Sequence, residues 1–253
     1  YYRDNRLLAT FAFSPVVGLR LSAGWRLHHR NLLQWNEVAA ANGMARTLTG
    51  FVPRLSVSWT PALYHYRDGN GHAVPLHSKW PTFMVDYERG LSTFNASTSY
   101  ERIETDVQYM LPLYALRALY FRGGCGFFTR RGPDCFLDYD YFRNNHLFGN
   151  WHDELSGQFQ LLDARWYNES RHYVRLSAAY ESPMMLFSRL RWLTRVVQKE
   201  RLYINLLNVG TLGYYSEWGY GLSTPIVDVA GFIALAGHSQ TGIGVKFVLR
   251  LGD

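Results

Sequence analysis

The chain has 253 residues, 47% of them hydrophobic and 16% aromatic, with only 18% charged and a net charge of +6. No window approaches the ~18 consecutive apolar residues of a membrane-spanning helix, so that class is excluded. Lysine occurs only at Lys79, Lys199 and Lys246, and the arginines are scattered along alternating segments rather than clustered. That distribution argues against a nucleic-acid partner and fits arginines that face lipid phosphates or a watery interior.

Eleven segments carry the two-residue alternation of a β-strand, in which successive side chains point to opposite faces. Leu7–Phe13 is the first, with a turn expected at Ser14-Pro15. Gly18–His29 sets Leu19, Leu21, Ala23, Trp25 and Leu27 against Arg20, Ser22, Gly24, Arg26 and His28. A loop through Asn36 and Asn42 leads to Thr49–Thr60, where Phe51, Leu55, Val57 and Trp59 oppose Arg54, Ser56 and Ser58. His65 to Trp80 reads as a loop rich in Gly, Asn, Asp and His. Thr82–Arg89 alternates Phe83, Val85 and Tyr87 with Met84, Asp86 and Glu88. In Tyr100–Met110, Ile103, Thr105, Val107 and Tyr109 face away from Arg102, Glu104, Asp106 and Gln108. Leu116–Phe128 follows a short turn at Pro112.

The stretch from Arg130 to Ser170 does not alternate and is expected to be one long loop, 130–170. His172–Glu181 resumes the pattern with Val174, Leu176, Ala178 and Tyr180. Within 184–199 the period changes: Met185, Leu186, Leu190, Leu193 and Val197 recur at helical steps, with Arg189, Arg191 and Arg195 between them. Such a short amphipathic segment suits a periplasmic leaflet surface, a plug in the periplasmic mouth or a bound partner. Arg201–Leu207, Tyr214–Leu222 and Val227–Leu235 follow across short turns. The last segment, Thr241–Leu251, sets Ile243, Val245, Phe247, Leu249 and Leu251 against Gly242, Gly244, Lys246 and Arg250. Its length matches the roughly 9–11 residues of a tilted strand crossing a bilayer.

Long alternating strands, short turns and an excess of Trp and Tyr predict an all-β fold, an antiparallel transmembrane β-barrel with aromatic girdles. The expected lipid-facing set is Leu19, Leu21, Trp25, Val107, Ile204, Ile243, Val245, Phe247 and Leu249. The expected lumen-facing set is Arg102, Glu104, Asp106, Arg175, Glu181, Glu217, Asp228, Lys246 and Arg250, with Asp86 and Glu88 beside them. Its mixed signs suit a lattice of ion pairs that stiffens the wall, whereas a selective conduit is better served by single-sign rings. Barrels usually have an even number of strands with both ends periplasmic. Residues 1–253 are therefore expected to be the C-terminal portion of a barrel of about 11–12 visible strands, with upstream strands or with an overlooked strand at Gln158–Tyr167.

Chemistry is sparsely signalled. There is no G-x-S-x-G elbow for a serine nucleophile. His28 and His29 could serve a protease site at a barrel rim, although histidines at strand ends are commonly interfacial. Asp138, Asp140, Asn144, His146, His152, Asp153 and Glu154 crowd the long loop without the spacing of a calcium-binding loop. Cys125 and Cys135 are either two unrelated thiols or a disulfide bracing a loop in an oxidising compartment. Gly219, Gly221, Gly231, Gly242 and Gly244 in the last strands are expected to ease curvature or make room for bulky neighbours such as Phe232.

Several blocks in order then carry a resemblance. They are Pro81-Thr82-Phe83 with Tyr87-Glu88-Arg89-Gly90, Trp151-His152-Asp153-Glu154, Phe159-Gln160-Leu161-Leu162 and Trp166-Tyr167-Asn168. Tyr180-Glu181-Ser182-Pro183, Lys199-Glu200-Arg201 and Glu217 with Gly219-Tyr220-Gly221 complete them. Across residues 80–251 the chain resembles the C-terminal barrel of Gram-negative outer-membrane proteins that carry an N-terminal carboxypeptidase-regulatory-like domain. The resemblance implies a bacterial outer-membrane location and a barrel, and no reaction. The expected function is non-enzymatic and cofactor-free: transport, export or envelope assembly within a larger outer-membrane complex. Its expected partners are outer-membrane lipids, lipopolysaccharide and other outer-membrane or periplasmic proteins. The alternatives are a surface enzyme or adhesin working through the 130–170 loop, and a soluble all-β binding protein.

Overall fold

The computed structural model describes residues 2–32, 46–67, 69, 73–92, 99–114, 116–130, 155–163, 166, 171–183, 185–186, 196–237 and 239–249. The fold is all-β. Eleven antiparallel strands form one sheet: β1 (Tyr2–Val16), β2 (Leu19–Leu32), β3 (Thr47–Trp59), β6 (Thr82–Arg89), β7 (Glu101–Pro112), β8 (Ala118–Arg130), β9 (His172–Ser182), β10 (Lys199–Val209), β11 (Gly213–Ser223), β12 (Val227–Ala236) and β13 (Ser239–Leu249). Each pairs with the next in that order, and β4 (Tyr64–Arg67) pairs separately with β5 (Ala73–His77). Apart from the β4–β5 pair, strands follow one another in the sheet in chain order, which makes it a meander.

Three local expectations are corrected. The turn expected at Ser14-Pro15 is strand: β1 continues to Val16, and the register shifts between Phe13 and Val16. Pro15 lies in that irregularity on a terminal strand of the sheet, where a missing N–H disturbs the ladder least. The reversal comes at Gly18, whose φ of 89° favours a residue without Cβ. The loop expected from His65 to Trp80 contains the β4–β5 hairpin. Pro75 lies in β5, and in a two-stranded ribbon each strand is an edge and tolerates proline. Of the overlooked strand expected at Gln158–Tyr167, the described residues 158–163 form bends and irregular chain instead.

The chain folds as two compact units, one of Tyr1–Lys79, Met84–Thr105 and Gly126–Asp138, the other of Trp80–Phe83, Asp106–Cys125 and Tyr139–Asp253. Burial in both inverts the pattern of a soluble protein, in which apolar side chains fill the interior. In the first unit Asp86, Glu88, Arg102 and Glu104 are buried, while Phe11 is 77% exposed and Leu55, Val57 and Trp59 are also exposed.

In the second unit the register aligns the exposed face into rows. Ala178, Ile204, Trp218, Ile233 and Ile243 are direct cross-strand neighbours from β9 to β13. Tyr180, Leu202, Tyr220, Gly231 and Val245 form the adjacent row. Neither row contains a charged residue. The run from Val174 to Tyr180 on this face covers about 20 Å along the strand, at ~3.4 Å per residue.

The buried face of the second unit carries a small apolar cluster of Tyr120, Leu155, Ala179, Tyr203, Ala230 and Phe232. A Cβ on Gly219 would lie 2.4 Å from the Phe232 ring, which stacks on Tyr203 at 5.5 Å between ring centroids. Glycine here makes room for the ring, whereas Gly231 and Gly242 have nothing within 4 Å of an added Cβ. Gly219→Ala should therefore destabilise by about 1–3 kcal/mol through overpacking, measured by chemical denaturation, while Gly231→Ala should not.

Candidate functional site: a buried charge lattice and the segment seated on it

In the first unit the lattice begins with alternate residues of β6. Asp86 and Glu88 are two apart and so share the buried face. Arg54 Nε on β3 donates to Asp86 Oδ1 at 2.6 Å, and Ser56 Oγ donates to the same oxygen. Arg102 on β7 pairs with Glu88 at 3.2 Å and stands 4.0 Å from Glu104. Tyr100 Oη donates to Glu88 at 3.2 Å and accepts from Arg26 at 2.9 Å. Acids and bases alternate along this face, so charges that would be costly to bury alone are paired in place. His28 is buried on β2 and His29 is exposed.

In the second unit, polar centres form around Asp106, Glu181 and Glu217. Asp106 on β7 accepts from Arg122 Nη2 on β8 at 2.6 Å and from both Nε and Nη2 of Arg175 on β9. Glu181 on β9 pairs with Lys199 at 2.7 Å and with Arg201 at 2.9 Å, both on β10. Arg201 also reaches Asp228 on β12 at 3.5 Å, and Ser223 Oγ donates to Asp228. Glu217 on β11 is 0% exposed, and its partners include main chain: Gln160 N–H donates at 2.7 Å, Leu161 N–H at 2.8 Å and Tyr215 Oη at 2.7 Å.

Those amides belong to residues 155–163, the described end of the expected long loop. Arg122 Nη1 donates to Gly157 O at 3.3 Å, and Asn205 Nδ2 on β10 donates to Gln158 O at 3.0 Å. Leu155 enters the apolar cluster, and the Phe159 ring meets Tyr215 edge-on at 5.9 Å. Leu161 lies over Gly244, where a Cβ would come within 2.6 Å of its Cδ2. The segment thus touches β8, β10, β11 and β13, running across the strands over the buried face of this unit. A cavity of about 380 Å³ remains beside it, lined by Leu161, Trp166, Leu212, Tyr215 and Gly237 among others.

Of the residues singled out from sequence, Arg102, Glu104, Asp106, Arg175, Glu181, Glu217 and Asp228 are buried, Lys246 is partly buried, and Arg250 lies outside the described residues. Leu21, Val107, Ile243, Val245, Phe247 and Leu249 are exposed, whereas Leu19, Trp25 and Ile204 are half-buried. Cys125 is exposed on β8, and Cys135 lies outside the described residues, as do the acidic and histidine residues from Asp138 to Glu154.

Sequence reasoning left Arg122, Arg201 and Asn205 out of the lattice. Arg201 and Asn205 share the parity of Tyr203, so the alternation of β10 could have found them. Glu200 has the opposite parity, that of Leu202, yet it is buried: Leu186 N–H donates to it at 2.8 Å, and so does Tyr220 Oη. This end of the 184–199 segment therefore attaches to the exposed-parity side of β10.

Among the described residues no group of three or more His, Cys, Asp or Glu side chains is placed to hold a metal ion. The acids are engaged with arginine, lysine, hydroxyls and amides, an arrangement that neutralises buried charge.

Residues 1–222 match the family of unknown function DUF5686, in its C-terminal domain. The chain belongs to that family. The match takes in β1 to β3, ahead of residue 80, and stops before β12 and β13. No curated protein matches the chain.

Proposed function

We propose that this member of the family is the wall of an outer-membrane β-barrel, its C-terminal portion. Its work is non-enzymatic: transport, export or envelope assembly as one component of a larger outer-membrane complex. The supporting observation is the inverted burial. Asp106, Glu181, Glu217 and Asp228 have 0–4% exposure on one face of the strands, while Phe247 and Ile243 are 68% exposed on the other. In water such a face would expose far more contiguous apolar surface than soluble monomers usually carry. Against acyl chains the same face meets a matching solvent, and the polar face lines an interior.

The resemblance to barrels fused to a carboxypeptidase-regulatory-like domain agrees with this reading. Lipids, lipopolysaccharide and neighbouring envelope proteins are then its partners. Membrane fractionation followed by planar-bilayer reconstitution tests the proposal. The protein should float with outer membranes and insert from detergent; a chain that stays dispersed and monomeric without detergent would overturn it.

A further inference from the structure

We propose that Glu217 is a latch: it positions residues 155–163 across the barrel interior and so sets how far that interior is open. The inference rests on the barrel reading above and adds a moving part to it. The segment is held chiefly by its backbone. Arg122 and Asn205 donate to the carbonyls of Gly157 and Gln158, and Glu217 accepts from the amides of Gln160 and Leu161. These contacts reach four of five consecutive residues, and Arg122, Asn205 and Glu217 are all nearly inaccessible.

Glu217 is the strongest of these holds on chemical grounds. A carboxylate that accepts two successive backbone N–H groups makes two charge-assisted bonds in one geometry. Gln at this position keeps the shape and loses the match, because its amide carries one acceptor oxygen and an NH2 that would face an N–H donor. The remaining contacts are a single 3.3 Å bond from the Arg122 guanidinium to Gly157 O, a neutral one from Asn205 to Gln158 O, an edge-on ring pair, Leu155 in the apolar cluster and Leu161 packed over Gly244. The cavity beside Leu161 and Trp166 gives the segment somewhere to move without compressing the wall.

An ordinary packed loop would show the same contacts, so the test must read opening as well as stability. Glu217→Gln and the milder Asn205→Ala are compared with the wild-type chain, all reconstituted in planar bilayers. Glu217→Gln should shift the latched–released equilibrium by about tenfold or more, seen as higher mean conductance. Asn205→Ala should give a smaller shift in the same direction.

A tether supplies the second measurement. In a Cys125→Ser, Cys135→Ser background, Leu161→Cys with Gly244→Cys places two thiols where Leu161 now covers the glycine. Oxidation should return the Glu217→Gln channel to wild-type conductance, and reduction should raise it again. Amide exchange of the peptide spanning 155–163 should be fast in Glu217→Gln and slow in the wild type.

If both chains insert and conduct equally, or stay equally silent, with equal exchange at 155–163, the latch is wrong and the barrel stands. Faster exchange without a change in conductance also overturns it, since the segment would then be a packed loop and not a constriction. A wild-type chain that never inserts removes the barrel reading, and the latch with it.

Discussion

Asp106→Ala is expected to destabilise the protein by about 3–5 kcal/mol, the usual penalty for removing one side of a buried ion pair. Two guanidiniums converge on this carboxylate. Arg122 donates from Nε at 3.1 Å and from Nη2 at 2.6 Å, and Arg175 donates from Nε at 3.3 Å and from Nη2. All three side chains are buried, so water cannot take the place of the lost acid. Removing Asp106 leaves two like charges facing one another in a poorly solvated place, and the repulsion adds to the desolvation penalty. The effect should reach residues 155–163, because Arg122 also holds Gly157 O.

Reversible unfolding from detergent or liposomes measures the loss. Asp106→Leu combined with Arg122→Met and Arg175→Met should recover much of it, since a packed apolar trio removes the buried charges altogether. A loss under ~0.5 kcal/mol for Asp106→Ala would place it with ordinary surface substitutions, and the centre would then be open to solvent.

How much of this was legible in sequence depends on where each backbone finds its partners. β7 carries Arg102, Glu104 and Asp106 opposite Ile103, Thr105 and Val107, and a two-residue period with such contrast admits only a half-exposed strand. Arg122 escaped because β8 reads Tyr120-Phe121-Arg122-Gly123-Gly124, with apolar or small residues on both faces. There the alternation carries no contrast, and the arginine's role depends on Asp106 on the next strand.

Residues 158–161 are the more instructive failure. The segment is expected as an overlooked strand because an even strand count calls for one more. Its amides and carbonyls are met instead by side chains: Glu217, Asn205 and Arg122. Sequence is silent on whether a neighbouring backbone or a carboxylate satisfies such a segment. Glu200 failed for a related reason. Strand parity puts it on the exposed-face side, where Leu186 N–H and Tyr220 Oη meet it.

Val245→Arg asks what solvent lies against the apolar rows. Val245 is 56% exposed near the middle of β13, beside Gly231, which has no side chain to crowd a larger residue. In water an arginine there is an ordinary surface substitution, within about 0.5 kcal/mol of neutral. Against hydrocarbon the guanidinium has no hydration, and its placement near the midplane costs about 2–4 kcal/mol. Folding into liposomes should therefore fall by that amount for Val245→Arg, while Val245→Leu stays near wild type. Ile233→Arg, one row away on β12 and also exposed, should behave alike, because both predictions depend on the surrounding solvent and not on one contact. Arginine at either position within ~0.5 kcal/mol of wild type would mean that water, and not acyl chains, meets these strands.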